Sequence, residues 1–458
     1  MEPKRDIIEK YNQAGPRYTS YPPANYFSPG LTKEKYIRGI EESNTKGTKN
    51  ISLYFHVPFC PRLCHFCGCN THLGNSRDMI STYMNNMLKE FRLVVSKLDK
   101  SRPLTQVHWG GGTPNAINLD YIKMIMDEVL AKFTLADYAE IAIECNPAYL
   151  TEKNVEKLAH IGFNRISLGI QDFQEDVLEA VNRAPSKLPY ETLIHTIRQA
   201  GFEGINLDFI YGLPKQTNES FRETIQRAID LQPDRIVTFS YAHVPWVKKE
   251  QKVMESLGLP TPDQKLDMFM LANEMLDKAG YVTIGMDHYA KPEDELAVAL
   301  KNKQLHRNFQ GYCSRQTTGQ VYAFGSSSIS QLDNMYAQNT KDIVEYSNRI
   351  EAHGLATEKG YALNQEERII RHAINEIMCN SQLGLGSLAK EYNMSVDALK
   401  TLLDYKPEKF NAFEQDNLLV IEDNMIHVTE PGRLVIRNIA MAFDPKLQVK
   451  ENTYSKTV

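Results

Sequence analysis

Four of the seven cysteines fall within ten residues, as Cys60-Pro-Arg-Leu-Cys64-His-Phe-Cys67-Gly-Cys69. Gaps of three, two and one residues let a single loop bend its thiolates around one centre. Pro58, Pro61 and Gly68 keep regular structure out of the segment. Two chemistries compete for such a set. Four thiolates suit a closed tetrahedral zinc site, but zinc ribbons divide their ligands between two separated Cys-x-x-Cys pairs, and no second pair exists here. An iron–sulfur cluster fits the spacing better. If three thiolates hold it, one iron stays open to act on a ligand, as the open position of a catalytic zinc does.

Other residues with chemical potential recur where strand-like runs end. Gly110-Gly111-Gly112-Thr113-Pro114 lets backbone amides approach a ligand closely, and no Gly-Lys-Ser/Thr follows to make it a phosphate loop. Glu144, Gln171 with Asp172, Asp208 and Tyr241-Ala242-His243 occupy the same relative position. In parallel α/β folds ligands bind at the carboxyl ends of strands. Glu144 and Asp208 suit the hydroxyls of a ribose, and Arg183 suits a carboxylate. Taken singly, an Asp or Glu at such a place is more often a helix cap. His56, His108, His243, His288 and His306 read as structural histidines, while the strings Asp287-His288 and His306–Gln310 suit a pocket lining or, equally, exposed loops.

The elements that must position these groups alternate from about residue 50 to 290. Strand-like runs cover Asn50–Val57, Gln106–Trp109, Glu140–Glu144, Arg165–Ile170, Ile205–Ile210, Arg235–Tyr241 and Val282–Met286. Helical patterns lie between them, at Ser81–Leu98, Leu119–Lys132, Thr151–His160, Tyr190–Ala200, Ser220–Asp230 and Pro262–Ala279. This alternation predicts an α/β fold with a parallel sheet, open or closing towards a barrel. An irregular arm over residues 1–35 precedes it. Past residue 360, helices Gln365–Met378 and Leu388–Asp404 and two short strands around Glu422-Asp423-Asn424 resemble a winged helix. The expected division is an arm over 1–35, a catalytic domain over 36–335 and a mostly helical domain over 336–458.

Composition narrows the partners. With 42% hydrophobic and 24% charged residues the chain is ordinary for a globular protein, and its net charge of −5 argues against nucleic acid or an anionic membrane surface. The charged start Met-Glu-Pro-Lys-Arg-Asp lacks the apolar run of a signal peptide, and no apolar stretch nears the ~20 residues of a membrane span. The expected location is the cytoplasm, where cysteines serve as ligands or nucleophiles more than as disulfides.

The C-x3-C-x2-C loop after a strand resembles the radical S-adenosylmethionine (SAM) superfamily. More specifically, Gly15–Pro22, Cys60–Cys69, His108–Pro114, Gly169–Phe173, Asp208–Pro214, Gly285–Tyr289 and His306–Tyr312 are similar to the oxygen-independent coproporphyrinogen III oxidases, over about residues 8 to 445. The resemblance implies a partial (β/α)6 barrel, a [4Fe–4S] cluster held by Cys60, Cys64 and Cys67, and two SAM molecules. Tyr54, Gly111, Glu144 and Ile329 would contact one SAM; Phe66, Gly112, Thr113, Gln171, Arg183, Asp208 and Ala242 would contact the other. Cys69 is the family's fourth cysteine, tied to activity but not a cluster ligand. The implied reaction starts with a 5′-deoxyadenosyl radical and turns two propionates of coproporphyrinogen III into vinyl groups, giving protoporphyrinogen IX. Arg17 is a candidate for the substrate's carboxylates. A monomer and an electron donor such as flavodoxin or ferredoxin are implied as well.

The chain departs from the family at Ser314–Ser328, where an acidic, Leu- and Gly-rich run is commoner and a pocket lid is expected, and at Cys145-Asn146. Rival readings on the same scaffold are a two-SAM enzyme of C-methylation or ring opening and a haem chaperone. The arm and Cys69 favour the oxidase, because the chaperone branch lacks the arm and carries an aromatic residue at the position of Cys69.

Overall fold

The computed structural model describes residues 5–74 and 76–447; the remaining parts of the expected arm (1–4) and C-terminal domain (448–458) lie outside the described residues. Ile51–Val57 is rich in β-branched and aromatic residues and buried on nearly every side chain, as a strand covered on both faces should be. It opens a run of six parallel strands in consecutive order. The others are Leu104–Gly111, Leu135–Cys145, Arg165–Gln171, Gly204–Tyr211 and Arg235–Ser240. Long crossover helices link them, at Arg77–Ser96, Leu119–Lys132, Glu152–Ile161, Tyr190–Gln199 and Asn218–Asp230. Several start on side-chain caps, among them Thr151 on the Asn154 amide and a reciprocal Thr217–Ser220 box. The strand order is linear, so this is a partial (β/α)6 barrel.

Both edges of the sheet depart from the sequence reading. The expected seventh strand is short, Val282–Ile284, and antiparallel to His288–Ala290, which is itself antiparallel to the sixth strand. Parallel order is broken there because a tight turn, not a helix, joins the two segments. On the other side, Gln320–Phe324 runs parallel to the first strand, in register Ile51↔Gln320 to Phe55↔Phe324, with every residue buried. The segment expected as a lid therefore supplies a core strand. Three antiparallel strands, Ile329–Gln331, Met335–Asn339 and Thr357–Ala362, extend the sheet from it. The expected boundary after residue 335 thus cuts into a strand; hydrogen bonding carries the sheet to Ala362.

Beyond the sheet, Gln365–Asn380 is helical as expected, but Leu388–Asp404 is two helices, Leu385–Glu391 and Val396–Leu402. Asn393 takes a left-handed φ of 53°, and Ser395 caps the second helix on the Ala398 amide. Leu419–Glu422 and Met425–Val428 form a hairpin whose turn residues Asp423 and Asn424 both have positive φ. Gln382–Gly384 completes a three-stranded, winged-helix-like sheet.

The arm is less irregular than expected, since Arg5–Tyr11 is helical. It straps this module to the barrel, Arg5 donating to Asp267 of the helix Pro262–Lys278 at 2.7 Å. Tyr11 stacks on Phe413, the Tyr18 hydroxyl donates to Asp444 at 2.9 Å, and Asn438 donates to the Tyr11 carbonyl at 2.8 Å. Among the described residues, no helix is long and apolar enough to cross a membrane.

Candidate active site

The cysteine loop begins where the first strand ends. Phe59–Cys60 pairs in parallel with His72–Leu73, so the chain folds back on itself, and Gly74 N donates to Cys60 O at 2.9 Å. Elements from distant crossovers fasten the outside of the loop. Asn182 donates to Leu63 O at 2.8 Å, Gln251 to Phe66 O at 3.1 Å, and Lys248 Nζ to Cys69 O at 2.7 Å.

The glycine loop after the second strand is stitched to the cysteine loop. Gly112 N donates to Val57 O at 2.7 Å and Thr113 N to Phe59 O at 2.9 Å. A Cβ on Gly112 would lie 2.8 Å from the Pro58 backbone, so only glycine permits this approach. Gly111 takes φ of 113°, which a side chain would strain. The Thr113 hydroxyl then reaches the Cys60 sulfur at 3.3 Å.

Strand alternation aims the next groups into the same space. Along Arg165–Gln171, Ile166, Leu168 and Ile170 are buried beneath the helices, while Ser167, Gly169 and Gln171 turn to the cavity. Ser167 donates to Asp208 Oδ2 at 2.7 Å, and Asn206 donates to Asp208 Oδ1 at 2.8 Å. Burial raises the Asp208 carboxyl to about 6; the Ser167 hydrogen bond opposes the rise and the Glu144 charge adds to it. Glu144 accepts from His108 Nε2 at 2.9 Å and from Gly111 N at 3.1 Å. Burial works against charge on both side chains. Their contact nonetheless holds Glu144 below and His108 above the ordinary value. Tyr54 stacks on His108 with ring centroids 5.8 Å apart and shares a 3.0 Å hydrogen bond with His56 Nδ1. Arg183 donates to the Cys64 sulfur at 3.5 Å and to the Gly169 carbonyl.

Twelve of the fifteen residues assigned from the resemblance line one cavity: the cysteines of the loop with Phe66, the glycine–threonine turn, and Glu144, Gln171, Arg183 and Asp208. Three do not. Tyr54 stands behind Glu144 through His108. Ala242 is joined to the loop through Gln251, which donates to its carbonyl and to that of Phe66. Ile329 packs with the cluster around Phe27 and Tyr336. Asp172 is also elsewhere: buried, it accepts from Gln216 and Thr224 at 2.6 Å and braces the fold. His56 and His108, read as structural histidines, brace Tyr54 and Glu144 in the wall, and two participants were missed, Ser167 and Asn206. Period-two alternation would have found both, which share strand faces with Gln171 and Asp208.

The donor set fits a thiolate-held cluster with a polar ligand beside it. Among the described residues no three His, Cys, Asp or Glu side chains close around a single ion. Cys60, Cys64 and Cys67 instead face a shared cavity. In its wall Gln171 Oε1 is buried without a hydrogen-bond partner, and Gln171 itself holds a left-handed φ of 73°. Such an orphaned acceptor suits a ligand carrying hydroxyl or ammonium donors.

Comparison with known proteins agrees with this geometry. The model of the radical SAM superfamily matches residues 54–228. A curated relative from Synechocystis sp., named oxygen-independent coproporphyrinogen III oxidase, is 41% identical over 463 residues, covering 100% of this chain and 98% of the relative. One of the same name from Escherichia coli K12 is 38% identical over 97% of this chain and 95% of its own length. The solved structure of coproporphyrinogen III oxidase from Escherichia coli, described as a radical SAM enzyme, superposes with a TM-score of 0.88 at 35% identity. The match covers 98% of this chain and 100% of that one.

Proposed function

The chain belongs to the oxygen-independent coproporphyrinogen III oxidase family, and from that premise we propose how its own residues carry the reaction. The protein is a radical SAM oxidoreductase of haem and porphyrin biosynthesis. It converts two propionates of coproporphyrinogen III to vinyl groups with loss of carbon dioxide, giving protoporphyrinogen IX. Its cofactors are a [4Fe–4S] cluster and SAM, which when bound supply a carbon radical able to take a hydrogen atom from a propionate side chain.

Cys60, Cys64 and Cys67 hold the cluster. Glu144 and Asp208 accept from ribose hydroxyls of the two SAM molecules, the amides around Gly111 and Gly112 approach a methionyl end, and Gln171 offers its unpaired carbonyl. Arg183 meets a SAM carboxylate while it braces Cys64. Phe66 and Thr113 line the second SAM, with Ala242 behind them through Gln251, and Tyr54 backs the first. Ile329 packs with the Phe27 cluster, apart from the cavity lining, so its place by the first SAM rests on the resemblance alone. Cys69 stands at the exposed rim of the loop, where it serves activity rather than ligation.

The tetracarboxylate substrate needs cations that the acidic chain must place locally. Arg17 of the arm lies 3.9 Å from Asp287, and Arg307 and Arg437 gather around the same carboxylate while holding the arm's backbone. Three guanidiniums around one carboxylate leave a positive surplus, and Arg17 faces solvent enough to meet a propionate. We further place the protein in the cytoplasm as a monomer that draws electrons from a flavodoxin- or ferredoxin-type carrier, with neither nucleic acid nor membrane as partner. A division after Ala362 separates catalytic and winged-helix-like parts.

The observation that carries this reading is the convergence of three loop thiols, Glu144 and Asp208 on one cavity. Electron paramagnetic resonance of the anaerobically reduced protein tests it. A cluster signal that changes when SAM is added, and is lost in Cys64→Ala, is expected. Bound zinc in its place, or a signal indifferent to SAM, would refute it.

A further inference from the structure

The segment after the sixth strand covers the cysteine loop from outside, held by the Gln251–Phe66 and Lys248–Cys69 contacts. Between strand and anchors, Val244-Pro245-Trp246-Val247 turns outward. Val247 is 67% and Trp246 59% exposed, the two highest values among large hydrophobic side chains of the described residues. Val253, in the short helix Lys252–Ser256, is 44% exposed, and Leu73, paired in register with Cys60, is 41% exposed. Nine large hydrophobic side chains are exposed in the described chain, and these four belong to the cysteine loop or the segment fastened to it. Scattered singly such residues need no explanation; gathered at one loop they do.

The charge around them has one sign in excess. Lys249 and Lys252 are exposed, Lys248 is half-buried, and Arg62 is exposed on the cysteine loop itself. Of the two carboxylates in the segment, Glu255 faces His243 at 2.9 Å. The whole chain carries −5, so this face runs against the bulk charge.

We propose that this face docks the acidic, one-electron carrier protein that reduces the cluster held by Cys60, Cys64 and Cys67. The inference rests on that cluster site. Each encounter transfers one electron and no atoms: the carrier leaves oxidised by one electron, and the cluster is reduced by one. A small apolar centre at Trp246 and Val247 with a basic rim is the composition of a transient redox interface, and the charge steers an acidic carrier. The Lys248–Cys69 contact puts the face against the loop that bears the ligands, which keeps the transfer distance short.

The test uses the holoenzyme and the triple variant Trp246→Ala/Lys249→Glu/Lys252→Glu, with flavodoxin and with ferredoxin as probes. Carrier binding is measured by calorimetry at low and high salt, cluster bleaching by the reduced carrier in stopped flow, and turnover with dithionite. The expected result is salt-sensitive binding to the wild type and roughly tenfold weaker binding and slower bleaching in the variant. Dithionite-driven kcat and the KM for the porphyrinogen should stay the same. The docking face is overturned if the variant binds and is reduced like the wild type, or if the wild type accepts electrons from neither carrier. A raised KM with dithionite also overturns it and makes the patch a platform for the macrocycle. A wild type without iron–sulfur absorbance would overturn the cluster assignment beneath it, a distinguishable failure.

Discussion

Glu144 joins two strand ends, its Oε2 accepting the backbone N–H of Gly111 at 3.1 Å. Its other oxygen accepts from His108, so one carboxylate braces the glycine loop and still faces the cavity. Glu144→Ala should weaken SAM binding by about 10- to 100-fold, the worth of a charge-assisted hydrogen bond. Equilibrium dialysis measures it, with iron content as the control that the cluster is intact. Unchanged affinity would confine Glu144 to bracing the loop.

The cysteines should divide by role. Alanine at Cys60, Cys64 or Cys67 should abolish the cluster in anaerobic iron and sulfide analysis. Alanine at Cys69 should leave iron in place and remove porphyrinogen turnover. Cys379, fully buried in the C-terminal core, is the comparison whose loss should touch neither. Full iron in Cys64→Ala would sink the ligand assignment.

Both loops were legible because their information is local: four thiols in ten residues and three glycines in a row need no long-range contact to be recognised. The His108–Glu144 pair was not legible. It lies 36 residues apart in sequence and exists because the second and third strands align His108 with Ala142. Direction of pairing was equally hidden: Val282–Ile284 has the β-branched composition of any strand, and nothing within it separates parallel from antiparallel. Gln320–Phe324 escaped notice since its partner, the first strand, lies some 270 residues earlier and turns an odd-looking segment into core.

Glu90 gives stability a pH dependence of its own. Buried on the helix Arg77–Ser96, it accepts from Gly325 N, Asn339 and Tyr346, and burial raises its carboxyl to about 7 against those hydrogen bonds. The unfolded chain releases this proton near the ordinary glutamate value of 4.5, while the folded chain keeps it to about 7. The group therefore costs stability progressively as pH rises between those values, on the order of 3 kcal/mol in full. Urea titrations across that range should show Glu90→Gln gaining on the wild type by that order. A constant difference would contradict the burial argument.

At the opposite end of the sheet, Arg235 holds both oxygens of Asp294, at 2.9 and 3.0 Å, and Glu295 at 3.0 Å, with Glu140 at 3.5 Å. Arg235→Ala strands buried carboxylates and should cost about 3–5 kcal/mol by denaturant unfolding. Adding Asp294→Asn should restore part of that loss. A single variant within experimental error of the wild type would mean that water already satisfies the cluster.

The most direct measurement is anaerobic incubation of the reconstituted protein with reductant, SAM and coproporphyrinogen III, followed by mass spectrometry of the tetrapyrrole. Stepwise loss of two carboxyl groups, dependent on SAM and absent in Cys64→Ala, is the predicted result. An unchanged porphyrinogen beside an intact cluster and cleaved SAM would contradict the account.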